Sequence, residues 1–228
     1  MNHLLFPQQP VAPDELCLDE NTWLIADTHF FHANIGRYCS RPDGWQDLII
    51  ENWNRFVQPG EIVFHLGDLA LGKREDTEAL VPQLNGKIYL MRGNHDRRSN
   101  GFYQRLGITL VPDPYRMNHP SGLNLVFSHR PIVPLKPDVL NLHSHIQNSL
   151  APELGARHAN LCVEVRDYRP WRLGDILAVE HNLRGYDATH LACALIWQET
   201  LGMPVTLASF DGQLIEAARG VQMAYLPV

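Results

Sequence analysis

Side chains that can bind metal ions follow four short apolar runs of this sequence, at the point where each run ends. In chain order they are Asp27 and His29, then Asp68, then Asn94, His95 and Asp96, and then His129. Carboxylate, amide oxygen and imidazole together suit manganese, iron, zinc or magnesium, and no cysteine joins the set. The pattern therefore predicts a site for divalent metal ions.

The apolar runs are typical of buried strands, because each is short, rich in branched or aromatic side chains, and bounded by polar or turn residues. We predict strands at residues 23–26, 62–64, 88–91 and 123–127, with helices at 45–57 and 74–84. This alternation indicates a layered α/β domain. Ligands of such sheets gather at the carboxyl ends of the strands, so we expect the metal-binding side chains to converge. A half-exposed strand containing Leu161, Val163 and Val165 is expected to close the domain.

The predicted ligands can support phosphoryl chemistry. An aspartate such as Asp68 can bridge two ions with its two oxygens, and ions about 3.5 to 4 Å apart can activate a water for in-line attack on phosphorus. His95 could protonate the leaving oxygen. The adjacent carboxylate of Asp96 is expected to orient the imidazole of His95.

These motifs resemble those of the calcineurin-like metallophosphoesterases. The family pattern of D-x-H, G-D and G-N-H-[DE], followed by a histidine, is matched at residues 27–29, 67–68, 93–96 and 129. The resemblance covers about residues 23–176 and implies a four-layer α/β/β/α sandwich that hydrolyses a phosphomonoester or phosphodiester with two divalent ions. It further implies one ion held by Asp27, His29, Asp68 and residue 147, another held by Asp68, Asn94, His129 and His145, and His95 as the catalytic histidine.

The last motif departs from the family's G-H-x-H, because residues 143–148 read His-Ser-His-Ile-Gln-Asn. The preferred register places His145 and Gln147 on the two histidines, and the alternative register uses His143 and His145. Glutamine is a weaker ligand than imidazole for zinc-like ions, so the first metal site is expected to be weak. Ser144 adds a Cβ where the family has glycine, and some strain is expected there.

Four further side chains are weaker candidates. His32 could face the phosphate or support the site, and Arg37, Arg41 and Arg130 could contact a substrate phosphate.

Composition favours a small or locally held phosphate ester. The chain has 228 residues, a net charge of −6 and no basic block, so no broad nucleic-acid surface is expected, although a nucleotide or nucleic acid stays possible. Its four cysteines form no C-x-x-C pair, and the sequence shows neither a signal peptide nor a run long enough to cross a bilayer. We expect a cytoplasmic protein without membrane contact, whereas its oligomeric state cannot be predicted.

The tail, residues 183–228, is similar to the C-terminal part of PIN-domain nucleases. The similarity rests on the run 186–194 and on residues 208–211, with helices predicted at 186–199 and 212–219 around a strand at 205–210. Only Asp187 and Asp211 remain of the acidic set that such nucleases need. We therefore expect a phosphoesterase domain at 1–178 and a partial PIN-like segment at 179–228. The alternatives are a metal-dependent ribonuclease acting through the tail, or a degraded phosphoesterase that binds without turnover.

Overall fold

The structure is a computed structural model that describes residues 16–119, 124–149, 151–155 and 157–181, and beyond them 194, 197–198, 201–209, 214–215, 218 and 223–227. The chain divides into two compact units, Met1–Ile176 and Leu177–Val228. Among the described residues, every helix falls short of the length and apolar character that a membrane-crossing segment requires.

The described strands and helices alternate along much of the chain. The strands are β1 (Trp23–Ile25), β2 (Ile62–His65), β3 (Lys87–Met91), β4 (Thr109–Val111), β5 (Tyr115–Asn118), β6 (Asn124–Ser128), β7 (Val139–His143), β8 (His158–Asn160), β9 (Trp171–Arg172), β10 (Thr206–Ser209) and β11 (Ala224–Pro227). The α-helices are α1 (Ile35–Tyr38), α2 (Trp45–Phe56), α3 (Arg74–Leu80), α4 (Asn100–Arg105) and α5 (Leu173–His181).

Two sheets form the body of the first unit. The first has the order β4-β3-β2-β1-β9, in which β1 to β4 are parallel and β9 is antiparallel to β1. The second has the order β5-β6-β7-β8, in which β6 to β8 are parallel. The sheets pack face to face, because the ring of Phe64 lies 5.4 Å from that of Phe127 and 5.8 Å from that of Tyr115.

Helices cover the other face of the first sheet. Apolar residues of α2, α3 and α4 form one buried cluster with Val63 and Ile88 of the sheet. Trp53 of α2 is fully buried, and its indole N–H donates to the carbonyl of Asn85 at 2.8 Å, so burial leaves no polar atom of this ring unpaired. The packing explains the helical spacing of apolar residues in this segment.

The α/β class expected from the sequence is confirmed. The four predicted strands correspond to β1, β2, β3 and β6, although Leu123 lies outside the described residues. The helix predicted at 74–84 is shorter, because α3 ends at Leu80 and a 3₁₀ turn follows at Val81–Gln83, where Pro82 cannot donate a helical hydrogen bond.

The predicted half-exposed strand at Leu161, Val163 and Val165 is wrong. Val163–Val165 is a 3₁₀ helix, and both Leu161 and Val163 are buried. The backbone turns here because Cys162 forms an isolated bridge with Ala26, and the N–H of Val163 donates to the carbonyl of Ala26. This contact ties the segment to the end of β1.

The second unit contains the parallel pair β10 and β11, of which only β10 was expected. Its described core consists of Ala194, Ala218 and Met223, with Val205, Leu207 and Tyr225 packed against them. Helical residues are described at 194, 197–198, 201, 214–215 and 218, and the other residues of the two predicted helices lie outside the described part. Asp187 and Asp211 also lie outside it.

Candidate metal centre and active site

The predicted ligands meet where strands of both sheets end. Asp27 and His29 follow β1, Asp68 follows β2, Asn94 and His95 follow β3, His129 follows β6, and His145 and Gln147 follow β7. Two groups of candidate ligands have their ligand atoms within 4.8 Å of one another: His29, Asp68 and His95, and Asp68, His129 and His145. The two groups share Asp68.

The Asp68 carboxylate lies at the centre of the site. Its Oδ1 accepts a hydrogen bond from the backbone N–H of His95 at 2.7 Å. Its Oδ2 is buried without a hydrogen-bond partner in the described structure, and it lies 3.4 Å from Nε2 of both His29 and His129. A distance of 3.4 Å is long for a hydrogen bond. It fits two ligands of one ion, which lie roughly 3.0 to 3.4 Å apart when each is ~2.1 Å from the metal.

Backbone carbonyls orient both of these imidazoles. Nδ1 of His29 lies 3.1 Å from the carbonyl oxygen of Asp27, and Nδ1 of His129 lies 2.9 Å from that of Leu66. A carbonyl can only accept, so each Nδ1 carries a proton, and each ring in its neutral form presents the lone pair of Nε2 to Asp68. The two Nε2 atoms and Oδ2 of Asp68 therefore require positive charge between them, which a metal ion or protons on the imidazoles can supply.

The charge environment agrees with that requirement. Burial lowers the pKa of His129, but the neighbouring carboxylates of Asp68 and Asp27 outweigh burial and raise the pKa to about 9. Burial raises the pKa of Asp68, and the imidazoles of His129 and His29 more than reverse this effect and hold the pKa below its usual range. The site thus stabilises positive charge beside Asp68.

The second ligand group continues through Asn94 and His145. Oδ1 of Asn94 lies 3.1 Å from Nε2 of His129, and the rings of His129 and His145 are 5.0 Å apart. Nε2 of His145 accepts from the exposed guanidinium of Arg130 at 2.6 Å. Burial and, to a smaller extent, the charge of Arg130 lower the pKa of His145 to about 4. This imidazole is therefore neutral and can act as a metal ligand.

Asp27 and Gln147 form the other side of the site. Oδ1 of Asp27 accepts from Nε2 of Gln147 at 2.8 Å, and Oδ2 accepts from the backbone N–H of His145 at 2.9 Å. Gln147 was expected as an oxygen ligand, but here its amide N–H binds the carboxylate. As placed, this side chain positions Asp27 and offers no oxygen ligand through that contact.

The motif at residues 143–148, which departs from the family pattern, has both residues of the preferred register in the cleft. His145 and Gln147 line the cleft, whereas His143 is the buried last residue of β7. Strain at Ser144 was expected, but its φ is not positive. Its hydroxyl lies 2.9 Å from the carbonyl oxygen of Leu66 and 3.0 Å from Nδ1 of His129. The added side chain therefore supports the orientation of His129 instead of straining the turn.

A comparison with protein families agrees with this geometry. The model of the calcineurin-like phosphoesterase family matches residues 21–190. The chain belongs to this family. Membership indicates a metal-dependent phosphoester hydrolase, and the donor set described above fits divalent metal ions.

Relatives of this phosphoesterase are found among sequences and solved structures. It is 34% identical over 161 residues to the uncharacterized protein MJ1445 of Methanocaldococcus jannaschii, covering 65% of this chain and 84% of that protein. The crystal structure of a protein of unknown function, AQ665 from Aquifex aeolicus, aligns with a TM-score of 0.56 at 23% identity, over 69% of this chain and 98% of that one. The similarity of the second protein supports the fold alone.

A nuclease structure gives a weaker alignment. Pseudomonas putida nuclease MPE aligns with a TM-score of 0.38 at 23% identity, over 56% of this chain and 62% of the nuclease. At this level the alignment carries no argument about substrate.

Asp96 does not have the role expected for it in the phosphoesterase. Its carboxylate is buried and accepts backbone N–H bonds from Asp68 at 2.7 Å, Gly93 at 2.9 Å and Leu69 at 3.1 Å. Burial raises the pKa of Asp96 to about 6. Both oxygens are thus engaged by the loops after β2 and β3, so we correct its role from orienting the imidazole of His95 to holding these two loops together.

Two motif glycines allow those loops to approach each other. Gly67 has a φ of 106°, and a Cβ there would lie 2.6 Å from Nδ1 of His129 and 2.7 Å from the nitrogen of Gly93. A Cβ at Gly93 would lie 2.2 Å from Oδ1 of Asp68. Any larger residue at either position must displace a predicted ligand.

Most of the unusual backbone of the phosphoesterase lies at this site. Nine non-glycine residues in the described part have a positive φ, and five of them are predicted site residues: Asp27, His29, Asp68, His145 and Gln147. Each such conformation costs roughly 1 to 3 kcal/mol and persists only where surrounding contacts enforce it. Strain concentrated on the ligands is typical of a functional site.

A buried ion pair beside the site was not predicted. Arg41 was a candidate for phosphate contact, but its guanidinium is bound to Glu164 Oε1 at 2.5 Å and to the backbone carbonyls of Asp27 at 2.7 Å and Thr28 at 2.8 Å. It therefore supports the loop after β1. The signal in the sequence was the charge of Glu164 next to Val163, because a charge beside a buried apolar residue needs a partner.

Proposed function

We propose that this protein hydrolyses a phosphomonoester or phosphodiester with the help of two divalent metal ions. The observation that carries the proposal is the buried, unpartnered Oδ2 of Asp68, which faces Nε2 of His29 on one side and of His129 on the other. One carboxylate shared by two groups of imidazoles is a ligand arrangement that suits a pair of ions.

The chain offers ligands for each ion. Asp27, His29 and Asp68 would hold the first, and the second would be held by Asp68, Asn94, His129 and His145. When bound, such ions neutralise charge on phosphoryl oxygens and lower the pKa of a bound water.

The remaining chemistry falls to protein side chains. His95 lines the cleft half-buried, and the bond from its N–H to Asp68 fixes its backbone, which supports a role for its imidazole in giving a proton to the leaving oxygen. Arg130 is exposed at the rim beside His145 and Asn94. Its guanidinium can donate to a non-bridging phosphate oxygen.

The test is hydrolysis of bis(4-nitrophenyl) phosphate with added manganese, together with the metal content of the purified protein. Asp68→Asn should lower activity by a factor on the order of 10³ and remove bound metal, because the shared charge supports both ion sites. Asp47→Asn, at an exposed position in α2, is the matched control and should leave both readouts unchanged. Full activity of Asp68→Asn would contradict the proposal.

We also propose that catalysis belongs to residues 1–178 and that the tail, residues 179–228, is structural. The PIN-like character of the tail rests on its sequence, and Asp187 and Asp211 lie outside the described residues. We further propose a cytoplasmic location, on the ground that the four cysteines of the sequence form no C-x-x-C pair.

A further inference from the structure

The cleft extends beyond the candidate metal ligands. It has a volume of about 430 Å³, and its lining includes His29, Asp68, His95 and His145. The rest of the lining, which we name the side slot, consists of residues that hold neither ion in the proposed function: His32, Ile35, Tyr38, Cys39, Gln147, Asn148 and Ser149. A volume of this size suits a small organic ligand.

One wall of the side slot is aromatic and apolar. Tyr38 is 70% exposed, and its ring lies 6.4 Å from that of His32, which in turn lies 5.7 Å from that of His95. The orientation of His32 is fixed, because its Nδ1 accepts the backbone N–H of both Ile35 and Asn34 at 3.1 and 3.2 Å. The rings of His95, His32 and Tyr38 are therefore successive neighbours, and the last of them is exposed to solvent.

The opposite wall is polar but uncharged. Gln147, Asn148 and Ser149 line it. The amide of Asn148 donates to the carbonyl oxygen of Cys39 at 3.1 Å and so joins the two walls. The slot thus combines an aromatic face with neutral hydrogen-bonding groups.

The charge of the slot limits what it can hold. The described residues that line the cleft include neither lysine nor arginine. A second phosphate in this slot would find no cationic partner in the lining to compensate any hydration that it lost there. The slot therefore suits a neutral group attached to the phosphate.

We propose that the side slot binds the organic arm of the substrate, which is the group attached to its phosphate, and that this arm is planar, uncharged and aromatic. This inference rests on the proposed function. A nucleoside base and a simple aryl ring both have this chemistry. Such a group would stack on Tyr38 while the phosphate lies at the metal ligands beside His95.

Binding of non-hydrolysable phosphonates to the full manganese-loaded chain, measured by calorimetry, tests the proposal. The probes are methylphosphonate, phenylphosphonate, 4-carboxyphenylphosphonate and the phosphonate isostere of adenosine monophosphate. At least one of the two neutral aromatic probes should bind about tenfold or more tightly than methylphosphonate, the ratio that ~1.4 kcal/mol of stacking gives. The carboxyphenyl probe should bind more weakly than the phenyl probe, because it places a charge in the slot.

Variants at Tyr38 test whether this side chain causes the preference for aromatic probes. Tyr38→Ala should remove the advantage of the aromatic probes and leave methylphosphonate binding unchanged, whereas Tyr38→Phe should retain the advantage. Trp197→Ala, at a residue that is 66% exposed and does not line the cleft, is the control and should bind like the parent protein.

The outcomes separate this inference from the proposed function. A preference for the adenosine probe over the phenyl probe indicates a nucleoside arm, and equal binding indicates a general aryl arm. Equal binding of the methyl, phenyl and adenosine probes by a protein that hydrolyses the model diester overturns the slot proposal and leaves the phosphoesterase proposal standing. Absence of both hydrolysis and phosphonate binding overturns both.

Discussion

The buried pair of Arg41 and Glu164 allows a quantitative test of how the site is supported. Both side chains are almost inaccessible, at 0% and 1% exposure, and two guanidinium nitrogens of Arg41 donate to one oxygen of Glu164. The same guanidinium binds the carbonyl oxygens of Asp27 and Thr28, in the loop that carries two predicted ligands. Glu164→Gln removes the charge with almost no change in shape and leaves Arg41 buried beside the candidate metal centre.

The expected cost follows from burial. Removing one partner of a buried ion pair costs about 3 to 5 kcal/mol, because the remaining charge is left without a partner. For a unit of this size, 1 kcal/mol shifts the melting temperature by roughly 2 to 4 °C, so Glu164→Gln should melt about 6 to 20 °C earlier. The matched control is Glu78→Gln, which breaks an exposed pair with Arg74 at 2.8 Å and with 50% and 38% exposure. That pair contributes about 0.3 to 0.5 kcal/mol, or about 1 to 2 °C.

Tryptophan fluorescence during thermal unfolding measures this difference. Four of the five tryptophans lie within Met1–Ile176, and a Trp197→Phe background confines the signal to that unit. The chelator concentration is held fixed, because bound metal would stabilise the folded state by mass action. If Glu164→Gln and Glu78→Gln melt within ~2 °C of each other, the pair does not support the loop after β1 and the reasoning fails.

Two further predictions concern the altered ligand position and the tail. Gln147→His should increase the affinity of the first metal site for zinc or manganese, because an imidazole lone pair replaces an amide that donates to Asp27. Calorimetry measures this affinity. An unchanged affinity would show that residue 147 does not face an ion. Replacing both Asp187 and Asp211 with asparagine should leave hydrolysis of the model diester unchanged, since two carboxylates seldom hold a catalytic ion alone. If this double variant instead loses an RNA cleavage activity that Asp68→Asn retains, the ribonuclease alternative is correct.

The sequence predicted the part of the site that depends on local order. His129 follows β6 of the second sheet. Asp27, Asp68 and Asn94 each follow a parallel strand of the first sheet that its apolar run revealed, and the carboxyl ends of such strands lie at one edge of the sheet. Their convergence is therefore a consequence of the strand assignments. Two of the strands that escaped prediction, β4 and β8, have only three residues each and are too short for a periodic pattern.

The supporting contacts could not be predicted, because their partners are distant in sequence and many are backbone atoms. Asp96 looks like a neighbour of His95, yet its carboxylate reaches the backbone of Asp68 and Leu69, 28 and 27 residues away. Arg41 pairs with Glu164 across 123 residues. No local pattern marks a side chain whose partner is a carbonyl or an amide of another loop.

Gln147 shows how a substitution at a ligand position can keep the geometry while changing its chemistry. Residues 145 and 147 both have a positive φ, at 73° and 48°, so the turn that directs them into the cleft is present although the second histidine is absent. The backbone carbonyl of Gln147 accepts from Asn160 at 2.7 Å, and this bond fixes the turn independently of the side chain. An imidazole at position 147 would therefore start from a backbone already aimed at Asp27. For this reason the effect of Gln147→His on metal affinity should report the ligand itself and not a rearranged loop.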